Sequence, residues 1–321
     1  MSAVRSLAAG DHVVLEVEHR TRFDYSGPVA LSQNELHMSP VDTGLQRVLE
    51  HQIDLSPNVP VSWHRDHFGN QVCHFNILEL HESLEVVARS VVETTNAVSC
   101  GPESAPDPRP YHDRWSEFLC WSPGVPYLKE YEAVPLAGID MGMDETEFGH
   151  ALFELARYFY QTFRYDPDVT HVHSSPKELF RHGGGVCQDM AHAMIGVLRH
   201  AAIPARYVSG YIFEPKKDQV GEHLRGASAT HAWVQVWHER YGWMGIDPTN
   251  DKLVDWQYVR TAVGRDYFDV QPLRGVFSAQ DVQQHLEVSV HVQIRDILAE
   301  HATRSAGPAA QRAASGAAPG N

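Results

Sequence analysis

The hydrophobic pattern of this chain changes its period near residue 144. Upstream of that point, apolar and polar residues alternate, which is typical of half-buried β-strands. Clusters of turn-forming residues, such as Ser26-Gly27-Pro28, separate the alternating runs. The pattern therefore predicts an antiparallel β-sandwich or barrel. The runs begin near Val13, Leu49, Val72 and Leu84.

Downstream, the pattern takes the period of a helix. Asp144 followed by Glu147 is a capping-box signature for a helix N-terminus. Ser175 with Pro176 directly after it begins a second, short helix that ends at three consecutive glycines. A third helix begins just beyond them, at Cys187. The apolar stripes of the first and third helices are Phe148, Leu152, Leu155, Phe159 and Phe163, and Met190, Ala191, Met194, Ile195 and Leu198.

Alternation returns beyond residue 204, in the segments 205–213, 229–237, 243–246 and 288–294. Helices followed by strands with short turns predict an α+β fold. The domains that we expect are a disordered N-terminus 1–11, an N-terminal β domain 12–95, a linker 96–143, an α+β core with a C-terminal strand 144–297, and a disordered tail 298–321.

Charge and composition narrow the class of protein. The chain has 321 residues, of which 43% are hydrophobic, enough for a proper core. Lys and Arg number 26 against 41 Asp and Glu, so the formal charge is −15. Because no run of basic residues is present, we do not expect nucleic-acid binding. No stretch approaches 18 apolar residues, so we expect no membrane span.

The cysteines and the N-terminus indicate a compartment. The first ten residues lack the apolar segment of a signal peptide. The cysteines form no C-x-x-C pair, which argues against a zinc knuckle or a redox motif. We therefore expect a cytoplasmic protein with reduced thiols. The cysteines are Cys73, Cys100, Cys120 and Cys187.

The candidate nucleophile is Cys187, which follows the glycine-rich run Gly183-Gly184-Gly185 at the start of a predicted helix. Unpaired N–H groups and the helix dipole favour a thiolate at such a position. The alternative is a buried structural thiol, since free cysteines are among the most buried residues. A lone cysteine does not separate these two interpretations.

Two further residues follow at element boundaries. His231 begins a strand, and Asp247 ends the next one, 16 residues later. If the two strands form a hairpin centred near Arg240, residue 231 faces residue 249, and Asp247 is a diagonal neighbour on the same face. The register therefore predicts a hydrogen bond between the His231 ring and the Asp247 carboxylate. An ordinary strand histidine and an Asp-Pro turn are the alternatives.

Together, these residue types suit acyl transfer. A thiolate attacks a carbonyl carbon, and a neighbouring histidine holds the charge and protonates the leaving amine. A carboxylate on the other ring nitrogen fixes the orientation of the ring. The N–H of Cys187 is a candidate oxyanion donor, and Gln188 and Gly185 are further candidates. By spacing alone, the catalytic and structural interpretations stay balanced.

The amino-acid sequences of several segments also resemble a known family. The segments around Cys187, His231 and Asp247, together with the run Ile203-Pro204-Ala205-Arg206 between them, resemble the transglutaminase-like superfamily. The chain is similar to a prokaryotic branch with an N-terminal β domain. Two outlying segments agree, Tyr25-Ser26-Gly27-Pro28-Val29 and Val263-Gly264-Arg265-Asp266-Tyr267.

The resemblance implies a papain-like core, with a nucleophile helix packed on an antiparallel sheet. It implies Cys187 as nucleophile, His231 as base and acid, and Asp247 as the orienting residue. Within the family, the reaction can be hydrolysis of an amide or peptide bond, or transamidation, and some members have no activity. We expect a cysteine hydrolase acting on a peptide or amide substrate, with a cross-linking transamidase or a non-enzymatic scaffold as alternatives. The oligomeric state is left open.

Three minor expectations complete the sequence-based picture. A metal hydrolase would rest only on His171 and His173, and the acidic residues lack EF-hand spacing, so we expect no metal or other cofactor. Trp233, with Trp237 and Trp243, lines a cleft or belongs to the core. The polar segment 214–227 is a candidate lid.

Overall fold

A computed structural model describes residues 8–97, 111–136, 138–169, 174–215, 224–226 and 229–295. Several sequence predictions lie outside these ranges. They are residues 1–7 of the N-terminal segment, residues 98–110 of the predicted linker 96–143, His171 and His173, most of the candidate lid, and the whole predicted tail 298–321. Within the described part, residues 8–11 are ordered, because Gly10 donates to the Asn96 carbonyl, whereas we expected disorder there.

The N-terminal half forms an antiparallel sheet around one long strand, β1. The first half of β1 pairs with β5 and its second half pairs with β4, in the order β2-β5-β1-β4-β3. The bounds are β1 (His12–Ser39), β2 (Gln46–Ser56), β3 (Val61–Arg65), β4 (Gln71–Ile77) and β5 (His81–Thr95).

The turn predicted at Ser26-Gly27-Pro28 does not break β1. The strand continues through it, and its register with β5 shifts between Asp24 and Val29. A proline lacks the N–H that a ladder needs, so within a strand it is tolerated at bulges and edges. The irregularity lets β1 leave one set of partners and join another.

Two C-terminal strands complete this first sheet. Strands β13 (Leu273–Ser278) and β14 (Gln284–Ile294) both pair antiparallel with β1. This differs from the expectation that the last strand belongs to the catalytic core 144–297. Alternation of apolar residues identifies a strand, but it carries no information about the partner.

The second half is an α+β unit, as predicted, with antiparallel sheet order β11-β10-β9-β8-β12. Its helices are α1 (Tyr111–Leu119), α2 (Glu145–Thr162), α3 (Pro176–His182) and α4 (Cys187–His200), with 3₁₀ turns at Lys129–Ala133 and Tyr267–Asp269. Its strands are β6 (Arg164–Tyr165), β7 (Gly184–Gly185), β8 (Ala205–Ile212), β9 (His231–His238), β10 (Gly242–Asp247), β11 (Lys252–Leu253) and β12 (Tyr258–Gly264).

Both predicted helix caps are present. The Asp144 carboxylate accepts from the Glu147 N–H at 2.9 Å, and the Glu147 side chain accepts from the Asp144 N–H at 3.1 Å. Ser175 caps α3, and Pro176 is its first residue. In the described part of the chain, no helix is long and apolar enough to cross a membrane.

Helix α4 lies at the centre of the second unit and is buried from Cys187 to Arg199. It packs on β8 and β9, and α3 and the first 3₁₀ turn cover its other sides. Arg199 is also buried, and its guanidinium donates to the carbonyls of Phe118, Cys120, Ala205 and Arg265. Burial lowers the pKa of Arg199 to about 10. The bonds to Phe118 and Cys120 hold the C-terminal end of α1 against α4.

The two sheets meet at β12. The Gln46 side chain pairs with both main-chain groups of Arg260 at 2.8 Å, and the Asn70 side chain pairs likewise with Val263. Each amide thereby satisfies a strand donor and acceptor that would otherwise be unpaired. Apolar contacts surround these bonds and join residues of both halves: Leu15, Val17, Val92, Tyr211, Phe213, Trp256, Val259 and Val290.

Two helix glycines should respond to alanine in opposite ways. A Cβ on Gly196 of α4 would lie 2.2 Å from the Tyr131 ring, whereas one on Gly149 of α2 would meet Met244 at an ordinary 3.5 Å. We expect Gly196→Ala to lower the free energy of unfolding by about 1–3 kcal/mol through overpacking. Gly149→Ala should raise it by about 0.5–1 kcal/mol through helix propensity. Urea denaturation measures both, and a gain in stability for Gly196→Ala would contradict the packing described for Tyr131.

Candidate active site

The glycine triplet delivers Cys187 to the start of α4. Gly183 ends α3 in the left-handed region, with φ of 66°, which favours glycine. Gly184 and Gly185 then pair in parallel with Arg164 and Tyr165. A Cβ on Gly185 would lie 2.7 Å from the Asp189 carboxylate, so only glycine fits there. The three glycines thus act on the backbone around the thiol, and Gly185 adds no side chain to the site.

At the N-terminus of α4, one of the two reciprocal hydrogen bonds of a capping box is present. The Asp189 carboxylate accepts from the Val186 N–H at 2.8 Å, but Val186 at the N-cap has no side-chain oxygen to return a bond to the first turn. The first-turn N–H groups and the helix dipole therefore surround Cys187 with partial positive charge.

The hairpin has the predicted register. Strands β9 and β10 pair Ile246 with Val234 and Gly242 with His238, so the hairpin is centred on Arg240. His231 begins β9 and Asp247 ends β10. Their side chains meet, with Nε2 of His231 and Oδ2 of Asp247 2.7 Å apart. The predicted hydrogen bond is confirmed.

The Cys187 sulfur lies close enough to the His231 ring to help raise its pKa. Nδ1 of the ring is buried and makes no hydrogen bond within the described residues. The structure thus brings together Cys187, His231 and Asp247, with the histidine in the middle.

The Asp247 carboxylate also accepts hydrogen bonds from donors other than His231. Oδ1 accepts from the Thr249 N–H at 2.8 Å, and Oδ2 accepts from the Asn250 side-chain amide and from the Tyr258 hydroxyl, both at 2.8 Å. Donors of this number stabilise the ionised form. Sequence reasoning did not single out Asn250 or Tyr258. Asn250 lies in the segment quoted for the family resemblance, but no sequence signal identifies Tyr258.

The pKa shifts at the pair follow from this environment. Burial opposes the charged form of His231, but the Asp247 carboxylate and the Cys187 sulfur outweigh burial and raise the pKa of the ring. Burial also works against the Asp247 carboxylate, yet His231, Asn250 and Tyr258 together lower its pKa. Both shifts favour an imidazolium paired with a carboxylate.

Trp233 belongs to the core and does not line a cleft. It is fully buried, stacks beside the His231 ring at 6.2 Å and meets Tyr258 edge-on at 5.2 Å. Gly210 on β8 makes room for it, because a Cβ there would lie 2.6 Å from the indole. Trp237 and Trp243 are buried in a separate cluster with Phe118. The cleft interpretation of these tryptophans is therefore wrong.

The structure gives the position of Gln188 and the contacts of the described part of the candidate lid. Gln188 is buried as the second residue of α4, and its role at the oxyanion stays a prediction. In the segment 214–227, the Leu224 N–H donates to the Glu214 carboxylate at 3.0 Å. The Arg225 N–H donates to Oδ1 of the Asn250 side chain, and the amide nitrogen of that side chain donates to the Arg225 carbonyl. Gly226 then lies against Nδ1 of His231. A lid role for this segment stays a prediction.

Metal ligands do not gather at this site. Across the described ranges, no three His, Cys, Asp or Glu side chains are placed to hold a metal ion. The pair His171 and His173 lies outside those ranges.

Each half of the chain matches a known protein family. Residues 15–93 match the bacterial transglutaminase-like N-terminal region, and residues 139–248 match the transglutaminase-like superfamily. An uncharacterized protein of Mycobacterium leprae is 35% identical over 282 residues, which cover 87% of this chain and 98% of that protein.

Two further matches are to a solved structure and to part of a larger relative. A crystal structure of a "putative cysteine protease" from Cytophaga hutchinsonii covers 89% of this chain and 92% of its own, with a TM-score of 0.67 and 20% identity. This likeness shows a shared fold. A protein-glutamine gamma-glutamyltransferase of Pseudomonas aeruginosa is 37% identical over 100 residues, which cover 30% of this chain and 14% of that protein.

Asp247→Asn should lower the pKa of His231. The substitution removes the charge that opposes burial, so the ring should lose its proton at lower pH than in the native protein. Tyr258→Phe is the matched control, because it removes one donor to Asp247 and leaves the carboxylate charge. An NMR titration of the His231 ring, assigned with His231→Gln, measures both. An unchanged His231 pKa in Asp247→Asn would show that Asp247 does not control the ring.

Proposed function

This chain belongs to the transglutaminase-like superfamily, and on that premise we propose that it is a cysteine hydrolase that cleaves an amide or peptide bond through an acyl-enzyme on Cys187. The observation that carries the proposal is the buried 2.7 Å bond between His231 and Asp247, with Cys187 acting on the same ring from the N-terminus of α4.

Each group has a role that its position supports. The Cys187 thiolate attacks the carbonyl carbon, and the positive N-terminus of α4 stabilises charge on the carbonyl oxygen, with the N–H of Cys187 as one donor. His231 then gives a proton from Nδ1 to the departing amine. Asp247 holds the ring by Nε2 throughout, which keeps Nδ1 directed at the reaction. Water attacks the resulting thioester and releases the acid.

Transamidation is the second candidate, and one comparison favours it. The Pseudomonas aeruginosa protein that matches 30% of this chain is a protein-glutamine gamma-glutamyltransferase. The two reactions share the acyl-enzyme and differ only in whether water or an amine resolves it. The residues of the site serve either acceptor, so the preference for hydrolysis is tested by product analysis.

Cys187 should be alkylated faster than Cys120 although it is far less accessible. Cys120 is exposed and Cys187 is buried, so accessibility alone predicts the opposite order. The imidazolium of His231 stabilises the thiolate at Cys187. In His231→Ala, the rate at Cys187 should fall by at least about 10-fold.

Peptide mapping after iodoacetamide treatment at neutral pH gives both rates in one sample, and the Cys120 rate is the internal control. A slower reaction at Cys187 than at Cys120 in the native protein would contradict an activated nucleophile. That result would favour a scaffold that keeps the fold without catalysis.

The partition between water and an amine should favour water. We expect a peptide mixture incubated with the protein and a labelled primary amine to yield mainly hydrolysed products, detected by mass spectrometry. Cys187→Ala is the control and should abolish every product. Amine adducts in excess of hydrolysed products would overturn the hydrolase proposal in favour of transamidation.

A further inference from the structure

Strand β14 is a long edge strand of the first sheet. It pairs with β1 over its whole length, from Gln284 opposite Tyr25 to Ile294 opposite Leu15, with no shift of register. Within the described ranges, no strand pairs with its other edge. Natural proteins protect such edges by keeping the strand short, or with charges, proline or a bulge. Strand β14 has 11 residues and no proline, and its only carboxylate is Glu287.

The other edges of the two main sheets are interrupted, short or covered. The register of β2 with β5 shifts between Val48 and Glu50. Strand β3 has 5 residues, and β13 has 6. On β12, the side-chain amides of Gln46 and Asn70 pair with the main chain. In the described part of the chain, β14 is therefore the long edge that stays regular and open.

The hydrogen bonds to β1 identify which main-chain groups of β14 point outward. The Arg295 N–H donates to the Val14 carbonyl at 2.8 Å, and the Ser26 N–H donates to the Gln283 carbonyl at 2.9 Å. Alternate residues of an antiparallel strand bond to the same neighbour, so the odd-numbered residues of β14 bond to β1. The even-numbered residues turn their N–H and C=O groups to the open edge. They are Gln284, Leu286, Val288, Val290, Val292 and Ile294.

Most of these outward residues carry apolar side chains that the rest of the chain covers only in part. Val290 is buried in the cluster that joins the two halves. In contrast, Leu286 is 49% exposed, and Val288 and Ile294 are each 42% exposed. A strand added beside β14 would cover these side chains while it pairs with the main chain. The edge therefore offers an added strand both hydrogen bonds and apolar area.

We propose that this edge binds β14 of a second copy of the chain, antiparallel, across a two-fold axis at Ser289. Outward main-chain groups must meet outward groups, so a symmetric pair is centred on a residue and never between two. The middle residue of Gln284–Ile294 is Ser289, and this centre gives each of the six outward residues a counterpart. Leu286 then faces Val292 of the second copy, and the two first sheets become one continuous sheet.

The polar face favours the same register independently. With the axis at Ser289, Glu287 faces His291 of the second copy, and the symmetry repeats this pair. Both residues are at positions without main-chain bonds between the copies, where opposite Cα atoms are only about 4.5 Å apart. An axis one residue earlier would place His285 opposite His291, and one residue later it would place His285 opposite Arg295. Each of those neighbouring registers opposes two basic side chains.

The charges within one copy leave this pairing available. Glu287 lies opposite Arg22 of β1 and 3.4 Å from His285, so its carboxylate already has basic neighbours in the monomer. His291 lies opposite Glu18. Complementary charges at the rim of an interface fix register and partner choice more than affinity. The main-chain bonds and the apolar side chains supply the attraction, and the charge pairs select Ser289 as the centre.

Val288→Pro tests the edge itself. Proline at this position removes an outward N–H and takes no bond from the ladder with β1, a placement that edge strands tolerate. We expect the native full-length protein to sediment with twice the mass of one chain, and Val288→Pro to sediment as a monomer. Alkylation of Cys187 should proceed at the native rate in Val288→Pro, which shows that the variant is folded.

His291→Glu and His285→Glu form a matched pair that tests the register. Both exchange a histidine for a carboxylate on the polar face of β14. Each histidine also lies opposite an acidic residue of β1, Glu18 or Asp24, so the two substitutions disturb the monomer alike. Between the copies they differ, because His291 faces Glu287 and His285 faces Gln293.

Sedimentation over a dilution series gives the dissociation constant of the dimer. We expect His291→Glu to raise it by about 10-fold, since like charges then meet at both symmetric pairs, and His285→Glu to raise it by less than about two-fold. Equal weakening by the two variants would overturn the register centred on Ser289.

Three further results would overturn the proposal. A dimer that persists in Val288→Pro would place the interface elsewhere. A native protein that stays monomeric, with fast amide exchange in β14, would leave the edge open. A native monomer with slow amide exchange at the outward residues would assign the edge to another segment of the same chain. The acyl-transfer proposal stands or falls separately, because it rests on Cys187 and its neighbours.

Discussion

The buried pair of His231 and Asp247 sets the requirements that the surrounding structure meets. An isolated charge in such a place would cost several kcal/mol, so each charged group needs partners. Asp247 has them in His231, Asn250, Tyr258 and a main-chain N–H, and His231 has Asp247 and the nearby Cys187 sulfur. The bond from Nε2 to Asp247 holds the imidazole in one orientation, and Nδ1 makes no hydrogen bond within the described residues.

This requirement links the catalytic unit to the N-terminal sheet. Tyr258, a donor to Asp247, is the first residue of β12. Further along the same strand, the side chains of Gln46 and Asn70 pair with its main chain, and both come from the N-terminal half. The first sheet therefore supports the strand that supports the carboxylate. Strands β13 and β14, near the end of the chain, also belong to the first sheet. In the sequence, the second unit therefore lies between two segments that both contribute strands to that sheet.

Much of the site follows from local sequence rules. The caps at Asp144 and Ser175 place α2 and α3, and the register centred on Arg240 brings His231 to Asp247. Such features depend on neighbours close in sequence, where backbone geometry and side-chain period leave few choices. The glycine triplet was also informative, although the structure shows that its members shape the backbone around Cys187.

The sequence alone did not predict the contacts between segments that are distant along the chain. Alternation marked residues 288–294 as a strand, yet it could not name β1 as the partner, because a strand pattern reports which face is buried and nothing about the edge. For the same reason, Tyr258 did not stand out. It is an ordinary tyrosine in its own segment, and it reaches the site only because long-range strand pairing carries it there. The sequence by itself determined the local elements and the residue types for thiol chemistry. Only the tertiary structure decided which donors surround them, since those donors come from segments that meet through packing and share no local pattern.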